Sequence, residues 1–186
     1  MKKIGLIIST IIAALTISCE GPAGPPGPPG FDGRDGLDGL DGVNILGTVF
    51  EIEGTFDAAN EYTLFYEFPT TVEVFESDLV FVYILWDQTD DAEPVDIWRL
   101  LPQTRILNQG LLQYNYDHTF FDVSIFLESD FDLSTLMPGD TDNQVFRIAI
   151  VPAEYGENSK MDPSNIDAVM RLLQVEEKDI HRIKLD

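Results

Sequence analysis

Cysteine is almost missing from this chain: Cys19 is the only one in 186 residues, which excludes an internal disulfide framework. Positive charge is scarce as well. Eleven Lys and Arg stand against 33 Asp and Glu, a formal net charge of −22 at pH 7, so the clustered cations that phosphate binding requires are lacking and nucleic acid is not expected as a partner. The same surplus repels anionic lipid head groups and favours a solvated domain held off a membrane surface. Histidine occurs only as His118 in YNYDHTF and His181 in DIHRIK, and neither has the i, i+4 partner or cysteine neighbour of a zinc site. Both read as ordinary strand or turn residues. No Gly-x-Ser-x-Gly elbow and no phosphate-cradling glycine loop follows residue 44. Carboxylates are so numerous that no glycosidase-like pair stands out. No catalytic residue, enzyme activity or cofactor is expected.

Apolar runs are short. Ile4 to Ile17, within MKKIGLIISTIIAALTIS, is interrupted only by small or hydroxyl residues, yet falls below the roughly 20 residues that cross a hydrocarbon core. Lys2 and Lys3 precede it and Ser18 closes it, the pattern of a secretory leader over residues 1–18. This leader holds two of the 11 basic residues and none of the 33 acidic ones, so the chain beyond it is more acidic still.

Cys19 follows the leader at once. Leu15-Thr16-Ile17-Ser18-Cys19, with a small residue before the cysteine, resembles the lipobox of bacterial lipoproteins. The resemblance implies that the Cys19 thiol receives diacylglycerol, and that its freed amine takes a further acyl chain such as palmitate. Each buried methylene contributes about 0.8 kcal/mol, so two or three chains hold a protein where one would not.

Glycine then occupies every third position: Gly21, Gly24, Gly27, Gly30, Gly33, Gly36, Gly39 and Gly42, eight of the chain's 14 glycines. Five of the 11 prolines fall among them, as Gly-Pro-Ala and two Gly-Pro-Pro triplets. The run resembles collagen, in which three polyproline-II strands wind together only if the axial residue lacks a side chain. Proline in the other places fixes φ beforehand and lowers the cost of ordering. Asp32, Asp35, Asp38 and Asp41 precede the later glycines, and in a trimer they would form repelling carboxylate rings. The Pro-rich half is thus the stiffer one. At about 3.1 Å per residue the eight triplets reach roughly 70–75 Å, so residues 19–44 are expected to act as a stalk, as a homotrimer or as a single extended strand.

Residues 45–186 change to a period of two. Tyr62, Leu64, Tyr66 and Phe68 share one strand face, and the pattern recurs in Leu46, Phe50 and Ile52, in Leu112, Tyr114 and Tyr116, in Phe121, Val123, Ile125 and Leu127, and in Phe146, Ile148 and Ile150. LVFVYILW, residues 79–86, is apolar throughout and predicts a central strand covered on both faces. Another strand is expected over Val95–Leu100. FDAANE, FPTTVE, DQTDDAEP, LNQG and MPGDTDN carry turn residues between these runs. The expectation is a mainly β head, an antiparallel β-sandwich in preference to a barrel. One C-terminal helix is expected, with Asp162 as cap, Pro163 in its first turn, and Ile166, Val169, Met170 and Leu173 as a stripe lying on the sandwich. Ile180–Leu185 is expected to add a short edge strand.

Candidate ligand positions remain few. Asp87, Asp90, Asp91 and Glu93 in one loop, and Asp140, Asp142 and Asn143 in another, offer oxygen donors for Ca²⁺, but neither follows the EF-hand pattern and a solvated acidic face explains both, so no metal is assigned. Trp98, Tyr114 and Tyr116 could stack on a sugar if exposed; core positions explain them better.

Taken together, leader, cysteine, Gly-x-y run and β-rich remainder resemble collagen-like lipoproteins of the gram-negative cell envelope. The resemblance is specific over residues 1 to about 44. It implies an outer-membrane lipid anchor through Cys19, cell-surface or periplasmic display, and a non-enzymatic structural or adhesive head. The alternative is a glycan- or ligand-binding subunit of an outer-membrane complex.

Overall fold

The computed structural model describes residues 47–158 and 161–185, so Cys19 and the Gly21–Gly42 triplets lie outside the described residues. The rest is mainly β, as expected, in two sheets. Nine strands run in chain order: β1 Thr48–Gly54, β2 Thr63–Glu67, β3 Leu79–Gln88, β4 Asp96–Leu100, β5 Gln103–Leu107, β6 Gly110–His118, β7 Asp122–Ser129, β8 Gln144–Val151 and β9 Arg182–Lys184. Sheet I has the order β4-β3-β8-β1-β9 and sheet II the order β2-β7-β6-β5. All pairings are antiparallel except β9 on β1, which is parallel.

The period of two places its apolar faces inward. Val82, Ile148 and Ile52 of sheet I meet Leu112, Tyr114, Val123 and Ile125 of sheet II, all essentially without exposure, in one cluster between the sheets. The edge-on rings of Phe56 and Phe146, 6.0 Å apart, close one end of it. Phe50 stacks on Phe68 at 6.2 Å toward the other.

A second cluster lies on the outer side of sheet I. Helices α1 Pro138–Thr141 and α2 Ala153–Asn158 are short; α3, Ile166–Leu173, lays Ile166, Val169, Met170 and Leu173 against Val49, Tyr83, Ala149 and Val151. The stripe is the one expected, but its start differs. Asn165 is the cap, its side chain accepting from Ala168 N–H at 3.1 Å. Asp162 instead closes a turn by accepting from Ser164 N–H at 2.9 Å and Ser164 Oγ at 2.7 Å. Pro163 sits in that turn, where its carbonyl accepts from the Tyr83 hydroxyl at 2.6 Å. Gly47 is the tightest contact beneath the helix: a Cβ there would stand 2.1 Å from Leu173 Cδ2.

β3 is an interior strand with buried residues on both faces, as expected, and three further differences have physical causes. β8 is the middle strand of sheet I and is buried on both faces, because α3 covers the face that carries Arg147. β3 lies beside it, with Val82 and Ile84 inward and Tyr83 under α3. β5 was hidden by the polar letters of QTRIL; it pairs with β6 through a tight turn whose Gly110 adopts φ +147°. β7 begins at Asp122, not Phe121, because the Thr119 hydroxyl receives Phe121 N–H and donates to the Asp122 carboxylate, each at 3.0 Å, and so holds the preceding residues in a turn.

Arg147 is buried among partners. Its Nε donates to Glu51 Oε2 at 2.8 Å, Nη2 pairs with Glu177, and the guanidinium lies 4.1 Å from the Trp98 ring centroid. Arg182 shares Glu51, and Lys184 Nζ meets Glu53 Oε1 at 2.8 Å, so charge pairs tie β9 onto β1. These partners, led by the Lys184 hydrogen bond, hold the Glu53 carboxyl below its ordinary range.

Candidate functional site

Two surface features concentrate functional chemistry on this head. The first is a groove of about 620 Å³ between the β2–β3 connection and the β6–β7 turn, within the roughly 300–1,000 Å³ of small-ligand sites. Phe68, Val72 and Val74 pack down onto the inter-sheet core and form its floor. Phe120 and Phe121 form one rim, 41% and 61% exposed, with ring centroids 3.9 Å apart. Glu67 and Glu73 supply its charges.

The rim is rigidly held. Besides the two Thr119 hydroxyl bonds, Thr119 N–H donates to Asp122 C=O at 3.0 Å and Phe68 N–H donates to Phe121 C=O at 2.8 Å. This turn therefore forgoes the roughly 1.5–3 kcal/mol that burying a phenylalanine contributes, and it does so next to an already apolar floor. Directly behind the floor, the Tyr66 ring packs against Phe68 at 6.3 Å, and its buried hydroxyl has no hydrogen-bond partner among the described residues.

The second feature is a seam between edge strands β4 and β5. The Trp86 ring has the Arg99 guanidinium 4.3 Å and the Arg105 guanidinium 4.7 Å from its centroid. Arg105 pairs with Asp140 at 2.6 Å, and the Asp140 carbonyl accepts from the Tyr114 hydroxyl at 2.8 Å. Burial foremost, with Asp140 adding to it against the opposing Arg105, pushes the Tyr114 hydroxyl up to about 12. Each member is already engaged with another, so this seam closes the open side of the sandwich, and cation–π contact of about 0.5–2 kcal/mol supports it.

The positions singled out from sequence are dispersed. His118 is exposed at the end of β6 with its ring on Tyr116, and His181 is exposed before β9. Asp87 is exposed near the end of β3, not in a loop as expected, and Asp90, Asp91 and Glu93 are exposed in the β3–β4 connection. Asp140 turns inward to Arg105, Asp142 accepts from the Thr141 hydroxyl at 2.8 Å, and Asn143 takes a left-handed φ of 51°. Among the described residues no three His, Cys, Asp or Glu side chains converge on a metal position. Trp98, Tyr114 and Tyr116 do not form a platform: Trp98 lies under Arg147, Tyr114 is fully buried, and the Tyr116 hydroxyl donates to Val80 C=O at 3.0 Å. The three therefore do not share one sugar-stacking face. The groove was missed because Phe121 fitted the alternation of β7; the Thr-x-x-Asp turn chemistry around the Phe doublet was the available signal.

No protein-family model, no curated protein and no solved structure matches this chain.

Proposed function

We propose that the chain is a lipid-anchored cell-envelope protein that presents a non-enzymatic, structural or adhesive β-sandwich head on a collagen-like stalk. The observation that carries this reading is the order of segments: apolar leader, Cys19, and a glycine register unbroken to Gly42, with five residues between it and the start of β1 at Thr48. The stalk thus feeds almost directly into β1, which is paired with β8 on one side and β9 on the other. A strand clasped on both sides resists being peeled away by load on its N-terminal end. Charge supports the same reading, since an acidic head is repelled by an anionic leaflet and gains from a spacer. The anchor is assigned to the outer membrane, with the stalk as a homotrimer.

Intact-mass and peptide mass spectrometry of protein taken from its native envelope tests the anchor: acylated Cys19 as the first residue is expected, and an unmodified thiol would end the proposal. Sedimentation of the full-length protein tests the trimer, with a monomer and no cooperative melting of the triplet segment as the contrary result.

The second reading, a ligand-binding subunit of an outer-membrane complex, draws on the groove. It requires no change to the anchor or stalk.

A further inference from the structure

We propose that the Phe120/Phe121 groove docks a segment of a partner protein that carries Lys or Arg beside apolar side chains. Exposed aromatics are the first ground. Scattered surface hydrophobes need no explanation, but two adjacent phenylalanines, pinned by four hydrogen bonds over an apolar floor, form a continuous patch of the kind that marks interaction sites. Their rigidity lowers the ordering cost that binding must offset.

Charge is the second ground and selects the occupant. Glu67 and Glu73 are the charged residues lining the groove, both are exposed, and neither has a salt-bridge partner among the described residues. A second copy of this acidic chain would bring carboxylates against carboxylates, whereas an ammonium or guanidinium finds both an ionic partner and aromatic faces within the same groove.

Backbone availability is the third. From Pro69 to Val74 the chain belongs to no strand or helix, and its one internal backbone bond among the described residues is Val72 N–H to Pro69 C=O at 2.9 Å. Peptide groups there are free to pair with an extended segment lying along the groove, while pockets beside them take alternate side chains. The proposal stands on the head alone and is independent of acylation at Cys19.

The test uses the full-length protein in mild detergent and a fluorescein-labelled peptide of four Lys-Phe repeats, followed by fluorescence anisotropy. Saturable binding is expected, weakened about tenfold or more by Phe120→Ala with Phe121→Ala, as for truncation of an interface anchor. Glu67→Lys with Glu73→Lys should transfer the preference to a Glu-Phe repeat peptide, for which no binding by the native protein is expected. Asp90→Asn with Asp91→Asn, beyond the opposite end of β3, should leave binding unchanged. Equal weakening by this last pair would show a generally acidic surface and overturn the proposal, as would absent binding or binding indifferent to both phenylalanines. Concentration-dependent self-association abolished by the Phe pair would instead make a second copy the occupant, and would also overturn it. Because Phe120 and Phe121 are exposed, both alanine variants are expected to keep the native urea midpoint, which is measured alongside.

Discussion

On the outer side of sheet I, α3 covers Val49, Tyr83, Ala149 and Val151 with its own apolar stripe, and Arg147 and Glu51 are shut in beneath it. On the outer side of sheet II, Phe65 on β2 and the cross-strand pair Ile106 and Leu111 face solvent, at 56%, 85% and 49% exposure. Both sheets bury residues of their inner faces in one shared cluster. What differs is that the segment following β8 returns over sheet I only. The consequence is energetic: on the covered face a charge needs a partner, and on the open face a phenylalanine contributes little.

The largest effect that would break this contrast is expected from Glu51→Ala. Arg147, 4% exposed, would lose its buried carboxylate, and loss of one member of such a pair costs about 3–5 kcal/mol. Urea unfolding measures it. Replacing both residues, as Glu51→Leu with Arg147→Met, is expected to restore most of that stability, because two apolar side chains need no desolvation of charge. A double variant no more stable than the single one would show that Trp98, Glu177 and Arg182 depend on the pair.

Next in size is a matched pair of truncations. Leu173→Ala on the buried stripe of α3, at 3% exposure, is expected to cost about 2–4 kcal/mol. Phe65→Ala on the open face should cost less than about 1 kcal/mol. Equal losses in the two unfolding midpoints would mean that something covers sheet II as well.

The smallest is a pH effect at the β1–β9 clasp. Lys184 and Arg182 lower the Glu53 pKa in the folded chain, so the folded state holds this proton more weakly than the unfolded one. Its contribution is present above the ordinary glutamate value of about 4.3 and is lost as pH falls through the lowered value. Glu53→Gln should therefore flatten the stability profile between about pH 5 and pH 3 and leave the profile near neutrality parallel to the native one. An unchanged acid limb would place the lost protons elsewhere, among them Asp132 and Asp162, whose pKa values are also lowered by local hydrogen bonds.

Much of the inward side was readable in the letters. Leu64 and Tyr66, Leu112 and Tyr114, Val123, Ile125 and Leu127, and Phe146, Ile148 and Ile150 all face the core that their alternation assigned to them. The α3 stripe was equally plain, from Ile166 to Leu173. The groove was not. Its floor comes from β2–β3 and its aromatic rim from a turn some 50 residues on, and Phe121 carried the correct parity for β7 while sitting outside it. Trp98 was more legible: a core position explains it better from sequence, and it packs half-buried against the α3 cluster with Arg147 over its ring.

Taken by itself, the sequence determined the β character of the head, the inner face of most of its strands and the apolar side of α3, because side-chain direction along a strand or helix is a local property with a fixed period. It also contains the unbroken glycine register before residue 43. Only the tertiary structure decided which outer face would be covered. That choice buries Arg147 with a glutamate 96 residues away, and it leaves Phe120 and Phe121 at a mouth built from two distant loops, since burial depends on what packs against a face and no period along the chain encodes it.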